Sequence, residues 1–158
     1  MTGHLVLSTL HTNDAASTIT RLRNMDIPNY LIAASLNCIV AQRLARKICS
    51  SCKVLDNNFM ENIKYYADKF NISGIDEAYI GEGCSNCKGT GIKGRQAIYE
   101  VLVINEELRE AILSDSPSST LVKIAKKFQF IEMSQIGISY VESGLIPVDE
   151  YVRVLSIN

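Results

Sequence analysis

The sequence predicts an α/β fold with a small metal-binding subdomain and a helical carboxyl-terminal part. Three observations carry that expectation. A nearly unbroken apolar run, His4–His11, leads into an amphipathic helical pattern. Two C-x-x-C knuckles, Cys49-Ser50-Ser51-Cys52 and Cys84-Ser85-Asn86-Cys87, interrupt the middle of the chain. The last third reads as short helices punctuated by proline and glycine.

In chain order, His4–His11 reads as a buried strand, with apolar residues nearly continuous as in sheets covered on both faces. Asn13 or Asp14 can cap the next helix, whose apolar face is Ala15, Ile19, Leu22 and Met25. Asp26-Ile27-Pro28-Asn29 ends it. A second helix is expected from Tyr30 to Lys47, with Leu31, Ala34, Ile39 and Leu44 among its apolar positions. Cys38 falls inside that helix and is expected to be a small buried hydrophobe. Between the knuckles the pattern predicts a helix over Asn58–Phe70 and little else regular. Arg95–Val103 alternates and then turns apolar, so it reads as a strand. Helices are expected at Glu106–Leu113, Leu121–Phe128, Glu132–Ser143 and Val148–Leu155. Pro117 and Pro147 precede two of them, and Gly144 ends a third. The expected organisation is residues 1–48 as one part of an α/β core, 49–88 as the metal subdomain, 89–104 as a return strand and 105–158 as the helical region. A lone strand followed by two helices cannot make a parallel sheet. The first strand's neighbours are therefore expected elsewhere in the chain or in residues upstream of it.

The knuckles are the most specific chemical signal. Cys49, Cys52, Cys84 and Cys87 supply four soft thiolates, the number a structural tetrahedral zinc requires. The two-residue spacer lets one turn aim both sulfurs of a pair at one ion. Two disulfides or a redox C-x-x-C are the competing readings. The paired spacing and the absence of a secretion-type leader pattern favour zinc. A thiol oxidoreductase would need a low-pKa cysteine beside a thioredoxin-like strand, and neither knuckle follows one. The long spacer from Lys53 to Gly83 predicts a small subdomain between the pairs.

A chain of 158 residues can bury one sizeable core, or one core plus a small satellite. Its net charge of −1 gives no global basic field and argues against a nucleic-acid binder. A free-standing zinc-ribbon interaction module remains the runner-up reading, and it would predict a basic, salt-sensitive surface. The basic cluster Arg43, Arg46, Lys47 and Lys53 surrounds the first knuckle and is explained by a solvated face or by thiolate-neutralising surroundings. The longest apolar stretch, Leu31–Ala41, contains Asn37 and is too short to span a bilayer.

Other motifs are weaker. Gly89-Thr90-Gly91-Ile92-Lys93-Gly94 matches G-x-G-x-x-G but follows a knuckle and opens a strand, so it reads as a flexible return and not as a dinucleotide loop. No G-x-x-x-x-G-K-[ST] occurs in these residues. Ser8, His11 and Asp14 lack the elbow that a hydrolytic triad needs. His11-Thr12-Asn13, at the carboxyl end of the expected strand, is placed where open α/β sheets bind ligands. On local pattern alone the triplet can equally be a helix cap and turn. Arg95 reads either as an edge arginine or as a ligand contact at the sheet margin.

The run Thr2-Gly3-His4-Leu5-Val6-Leu7-Ser8-Thr9-Leu10-His11-Thr12-Asn13-Asp14-Ala15 closely resembles the histidine box of the secretion ATPases, the motors of type II secretion and type IV pilus assembly. The resemblance continues through Ala41-Gln42-Arg43-Leu44-Ala45-Arg46-Lys47-Ile48-Cys49, both knuckles, Gly94-Arg95-Gln96-Ala97-Ile98-Tyr99-Glu100-Val101-Leu102, and the closing Asp149-Glu150-Tyr151-Val152-Arg153-Val154. It implies the later part of a RecA-like P-loop ATPase core that works as a cytoplasmic homo-hexamer using ATP and Mg²⁺. The family's Walker A, aspartate box and Walker B lie upstream of the histidine box and have no match here, so this segment alone is expected to be inactive. By the same resemblance, His11 senses the terminal phosphate with Thr12 and Asn13 beside it, and His4 belongs to the histidine-box pair with a structural or inter-subunit role. Arg95 lies near the adenine, and Cys49, Cys52, Cys84 and Cys87 form the tetracysteine site of the assembly and secretion branch. Retraction motors usually lack that site, which disfavours retraction. The implied partners are further copies of the chain, an inner-membrane platform protein and assembly proteins, with no direct nucleic-acid contact. The segment Val54–Tyr79 departs from the family's pattern and leaves partner identity open.

Overall fold

Asp14 sets the first helix. Its carboxylate accepts the Ser17 N–H at 2.7 Å, the Ser17 hydroxyl returns to the Asp14 N–H, and α1 (Ala15–Arg23) begins on this reciprocal cap. The computed structural model describes residues 4–59, 65 and 75–155. The described elements continue with α2 (Asn29–Ser35), β1 (Cys38–Ile48), β2 (Lys53–Leu55), β3 (Tyr79–Gly81) and β4 (Ile92–Val103). Helices α3 (Glu106–Leu113), α4 (Ser118–Lys126), α5 (Met133–Glu142) and α6 (Val148–Leu155) complete them. The fold is mixed α/β. Strands β1 and β4 pair with each other, and β2 pairs antiparallel with β3.

Three expectations need correction. Residues 4–12 carry no regular element, and Leu5, Val6 and Leu7 are 81%, 78% and 88% exposed. A strand exists only through a hydrogen-bonded neighbour, and no described strand pairs with this run. The expected helix Tyr30–Lys47 is instead α2 followed by β1. Leu36 turns the backbone extended, with ψ 124°. From Cys38 the burial alternates, with Ile39 and Ala41 inside and Val40 and Gln42 outside. The β-branched pair Ile39-Val40 favours that pleated state. Cys38 is exposed at the start of β1, not buried in a helix.

The expected helix Asn58–Phe70 falls largely outside the described residues. Asn57, Asn58, Phe59 and Tyr65 are helical, and the Asp56 carboxylate accepts the Phe59 N–H at 3.0 Å. The β2–β3 ribbon is regular structure that the sequence reading did not expect there. Strand β4 includes the expected Arg95–Val103 and starts earlier. Helices α3 and α6 match their expected bounds, whereas α4 begins at Ser118, directly after Pro117.

The described chain divides into two compact units, Met1–Ala41 with Glu100–Phe130, and Gln42–Tyr99 with Ile131–Asn158. In the first, Ala15, Ile19, Ile32, Leu102, Leu108, Ile112 and Leu121 form the core. Burying each of these isoleucine and leucine side chains contributes roughly 1.5–3 kcal/mol. Two arginines close helix ends there: Arg23 donates to the carbonyls of Ile112 (3.1 Å) and Ser116 (2.8 Å), and Arg109 donates to the carbonyl of Ala33. Buried Glu100 accepts the Ala15 N–H at 2.6 Å, placing a carboxylate at the start of α1.

In the second unit, Ala45, Ile48, Ile98, Met133, Val141, Ile146 and Tyr151 are buried. The carboxylate of Glu150, 1% exposed, accepts from the Arg46 backbone at 2.7 Å and its side chain at 2.9 Å, and from Arg153 Nε at 2.9 Å. Burial would push this carboxyl up, but the two arginines hold it down at about 2.

Candidate metal centre

Each knuckle sits where a strand ends. Strand β1 delivers Cys49, and the Cys52 N–H bonds back to the Cys49 carbonyl at 3.2 Å before β2 begins. Strand β3 leads to Cys84, and the turn Ser85–Cys87 brings Cys87 round, with the Gly89 N–H on the Cys84 carbonyl at 2.9 Å. The ribbon registers the two knuckles through Lys53 opposite Gly81, Val54 opposite Ile80 and Leu55 opposite Tyr79.

The result gathers all four sulfurs within 4.8 Å of one another. Cys49 and Cys84 are 3.9 Å apart, Cys52 and Cys87 3.9 Å, and Cys84 and Cys87 3.8 Å. Sulfurs at about 2.3 Å from a tetrahedral zinc stand roughly 3.8 Å apart, so the spacing fits that ion. A disulfide needs about 2.05 Å, and all five cysteines are free. Four cysteine donors on one ion can therefore hold it with no open coordination position.

Backbone N–H groups already face the sulfurs. Cys87 Sγ accepts from the N–H of Cys84 at 3.1 Å and of Gly91 at 3.2 Å. Burial pushes the Cys87 thiol up, but these donors bring it down to about 6. Burial pushes Cys52 up to about 12, against the backbone N–H of Gly83, with Cys84, Cys87 and Cys49 adding to the rise. A cation placed among the sulfurs would favour the thiolates. Gly91, read from sequence as part of a flexible return, is an ordered member of this site. Its carbonyl also accepts the Cys49 N–H at 2.8 Å.

The remaining sequence-derived candidates are not part of this cluster. His4 and His11 are exposed on the segment preceding α1, in the first unit. Thr12 is half-buried, its hydroxyl 2.9 Å from that of Thr18, and exposed Asn13 adjoins the Asp14 cap. Arg95 is exposed on β4 in the second unit. Sequence reasoning missed Glu100 and Glu150 as buried carboxylates. Glu150 had a local sign, an arginine three residues on along an apolar-faced helix. Glu100 had none, because its partner lies on α1.

Residues 1–153 match the family described as Type II/IV secretion system protein. The chain belongs to that family. Among its relatives, the type IV pilus assembly ATPase TfpB of Acinetobacter baylyi is 36% identical over 158 residues, covering 100% of this chain and 27% of that protein. The type II secretion system ATPase E of Vibrio cholerae is 36% identical over 154 residues, covering 98% of this chain and 30% of that one. The chain thus spans under a third of the length of these secretion-family relatives. A crystal structure of the pilus retraction motor PilT with bound ADP shares the fold, with a TM-score of 0.58 and 23% identity over 96% of this chain and 32% of that one. No helix among the described residues is long and apolar enough to cross a membrane.

Proposed function

We propose that this chain is the later part of the RecA-like motor domain of a hexameric, cytoplasmic ATPase that drives type IV pilus assembly or type II protein secretion. The observation that carries the reading is family membership along nearly the whole chain together with a four-thiolate cluster of zinc-like spacing. The names of the relatives, pilus assembly and type II secretion ATPases, support the choice of machine. The cluster favours assembly or secretion over retraction, because the resemblance ties the tetracysteine site to that branch.

In the whole motor, catalysis is positioning and charge neutralisation around the phosphates, with Mg²⁺ supplying part of that charge when bound. This chain's share is His11 as sensor of the terminal phosphate, Thr12 and Asn13 beside it, Arg95 at the adenine and His4 as the second histidine of the box. Zinc, held by Cys49, Cys52, Cys84 and Cys87, fixes the ribbon in place. Further copies of the chain and an inner-membrane platform protein are its partners, and the motor sits at the inner membrane through them.

The test uses the full-length parent. His11→Ala is expected to lower ATP turnover by at least tenfold, about 1.4 kcal/mol of transition-state stabilisation, while nucleotide binding changes little. Equal losses in binding and turnover, or unchanged turnover, would remove His11 from the sensor role. The present chain, with no P-loop sequence of its own, is expected to hydrolyse no ATP alone. Robust turnover by a clean preparation would overturn the assignment of catalysis to residues outside it.

A further inference from the structure

Three lysines of the second unit line an open concavity of about 580 Å³ beside the metal knuckles. Lys47 comes from the end of β1, Lys53 from the start of β2 and Lys93 from the start of β4. Ser50 and Gly144 complete the part of the wall that matters here, and no aspartate or glutamate lines it. Among the described residues none of the three ammonium groups is ion-paired. Other cations of the chain do have carboxylate partners, such as Arg46 and Arg153 with Glu150, or Lys127 with Glu107.

Lys53 and Lys93 are instead held by neutral groups, which position them without neutralising them. Lys53 lies over the Tyr79 ring, 4.8 Å from its centre, and donates to the Ser143 carbonyl at 3.4 Å. Lys93 donates to the Asn86 side-chain oxygen. Lys47 runs past Gly94, its Cδ 4.0 Å from where a β-carbon would stand. Gly144 has φ +64°, and a β-carbon there would lie 2.9 Å from Lys53 Nζ, so the small residue leaves the ammonium room.

We propose that Lys47, Lys53 and Lys93 form a phosphate-binding site, with the Ser50 hydroxyl as a further donor. Three lysines carried on separate strands, none of them ion-paired among the described residues, bring positive charge to one concavity, which suits the multiply charged phosphate group. A planar carboxylate is better matched by the arginine fork, and no arginine lines the wall. The site draws on none of the residues assigned to the motor's nucleotide, so it stands or falls independently of the proposed function.

The test is titration of the zinc-loaded, isotope-labelled chain with sodium pyrophosphate at constant ionic strength, followed by amide shifts. Shifts centred on Ser50, Lys93 and Gly144 are expected. Lys47→Gln, Lys53→Gln and Lys93→Gln are each expected to weaken binding about tenfold. Lys123→Gln, at an exposed position of α4 in the first unit, should leave it unchanged. Retained zinc content in every variant separates loss of the site from loss of the fold. A second arm asks where the phosphate resides. Co-sedimentation with vesicles of phosphatidylcholine and phosphatidic acid, lost in the three variants but not in Lys123→Gln, supports a lipid headgroup. Pyrophosphate binding without co-sedimentation supports a soluble phosphate ligand. Absence of binding in both arms, or equal weakening by Lys123→Gln, overturns the site and leaves only diffuse charge attraction.

Discussion

Glu150 shows what a single side chain contributes to the second unit. It is almost fully buried, yet its carboxylate is held at about 2 against an ordinary 4.5, because Arg46 and Arg153 donate to it and outweigh the cost of burial. A depressed carboxyl stabilises the fold above its unfolded pKa, and that stability is lost as pH falls through the folded value. The window here runs from about 4.5 down to about 2. Glu150→Gln is expected to cost about 2 to 3 kcal/mol at neutral pH, the scale of hydrogen bonds to a charged group. Thermal melts of both proteins at neutral and acid pH give the check: the difference should shrink on acidification. A difference that stays constant would assign the loss to packing and not to charge. The residues that carry chemistry were unequally legible. The four cysteines declare themselves by spacing alone, since a C-x-x-C turn aims two sulfurs together whatever surrounds it. Glu100 and Glu150 acquire their roles from partners on distant segments, Ala15 and Arg46. No local pattern encodes those meetings in full.

Among the elements, α3 was legible because its cap and its periodicity agree. Asn105 accepts the Leu108 N–H at 2.9 Å, and α3 buries Leu108, Ala111 and Ile112 on one face. Strand β1 was misread because no proline or glycine separates it from the helical run that begins at Tyr30, while the pairing with β4 that makes β1 a strand is not a local property. The same holds for residues 4–12, whose apolar character reads as a strand but has no described neighbour to pair with. The return after the second knuckle was also misjudged, since its glycines serve close approach and not looseness. Gly91 has φ +70°, and a β-carbon there would stand 2.1 Å from the Gly81 carbonyl oxygen. A side chain would have to push β3 away from Gly91, whose N–H and carbonyl contact Cys87 and Cys49. Gly91→Ala is therefore expected to weaken zinc binding roughly ten- to a hundredfold, as loss of groups that orient ligands does. Competition with a chelator of known affinity measures it. Unchanged affinity would mean that the ribbon and knuckle relax independently.

For the molecule as a whole, the question is how far the second unit depends on its thiolate cluster. Its strand pairing in the knuckle region is short, three residues on each side of the β2–β3 ribbon. Such a ribbon is marginal by itself in water. The knuckles meet at its end, with Cys49 and Cys87 buried, and an ion shared by four ligands would join segments far apart in sequence. Metal affinity then becomes folding free energy, because the unfolded chain offers no assembled site. Purified chain is expected to carry about one zinc, the number that four thiolates satisfy. Chelation should lower its melting temperature and release amide protection first at Cys49 and Glu82, whose N–H groups bond to Gly91 and Cys52. Protection in the first unit, such as the Ser114 N–H on the Glu110 carbonyl at 2.9 Å, should persist at chelator levels that strip the metal. Hydrogen exchange resolves the two sets of amides in one experiment. If metal-free protein keeps both its melting profile and its Cys49 and Glu82 protection, the cluster does not support the fold and a structural zinc is ruled out. If protection falls in both units together, the metal supports the entire described chain.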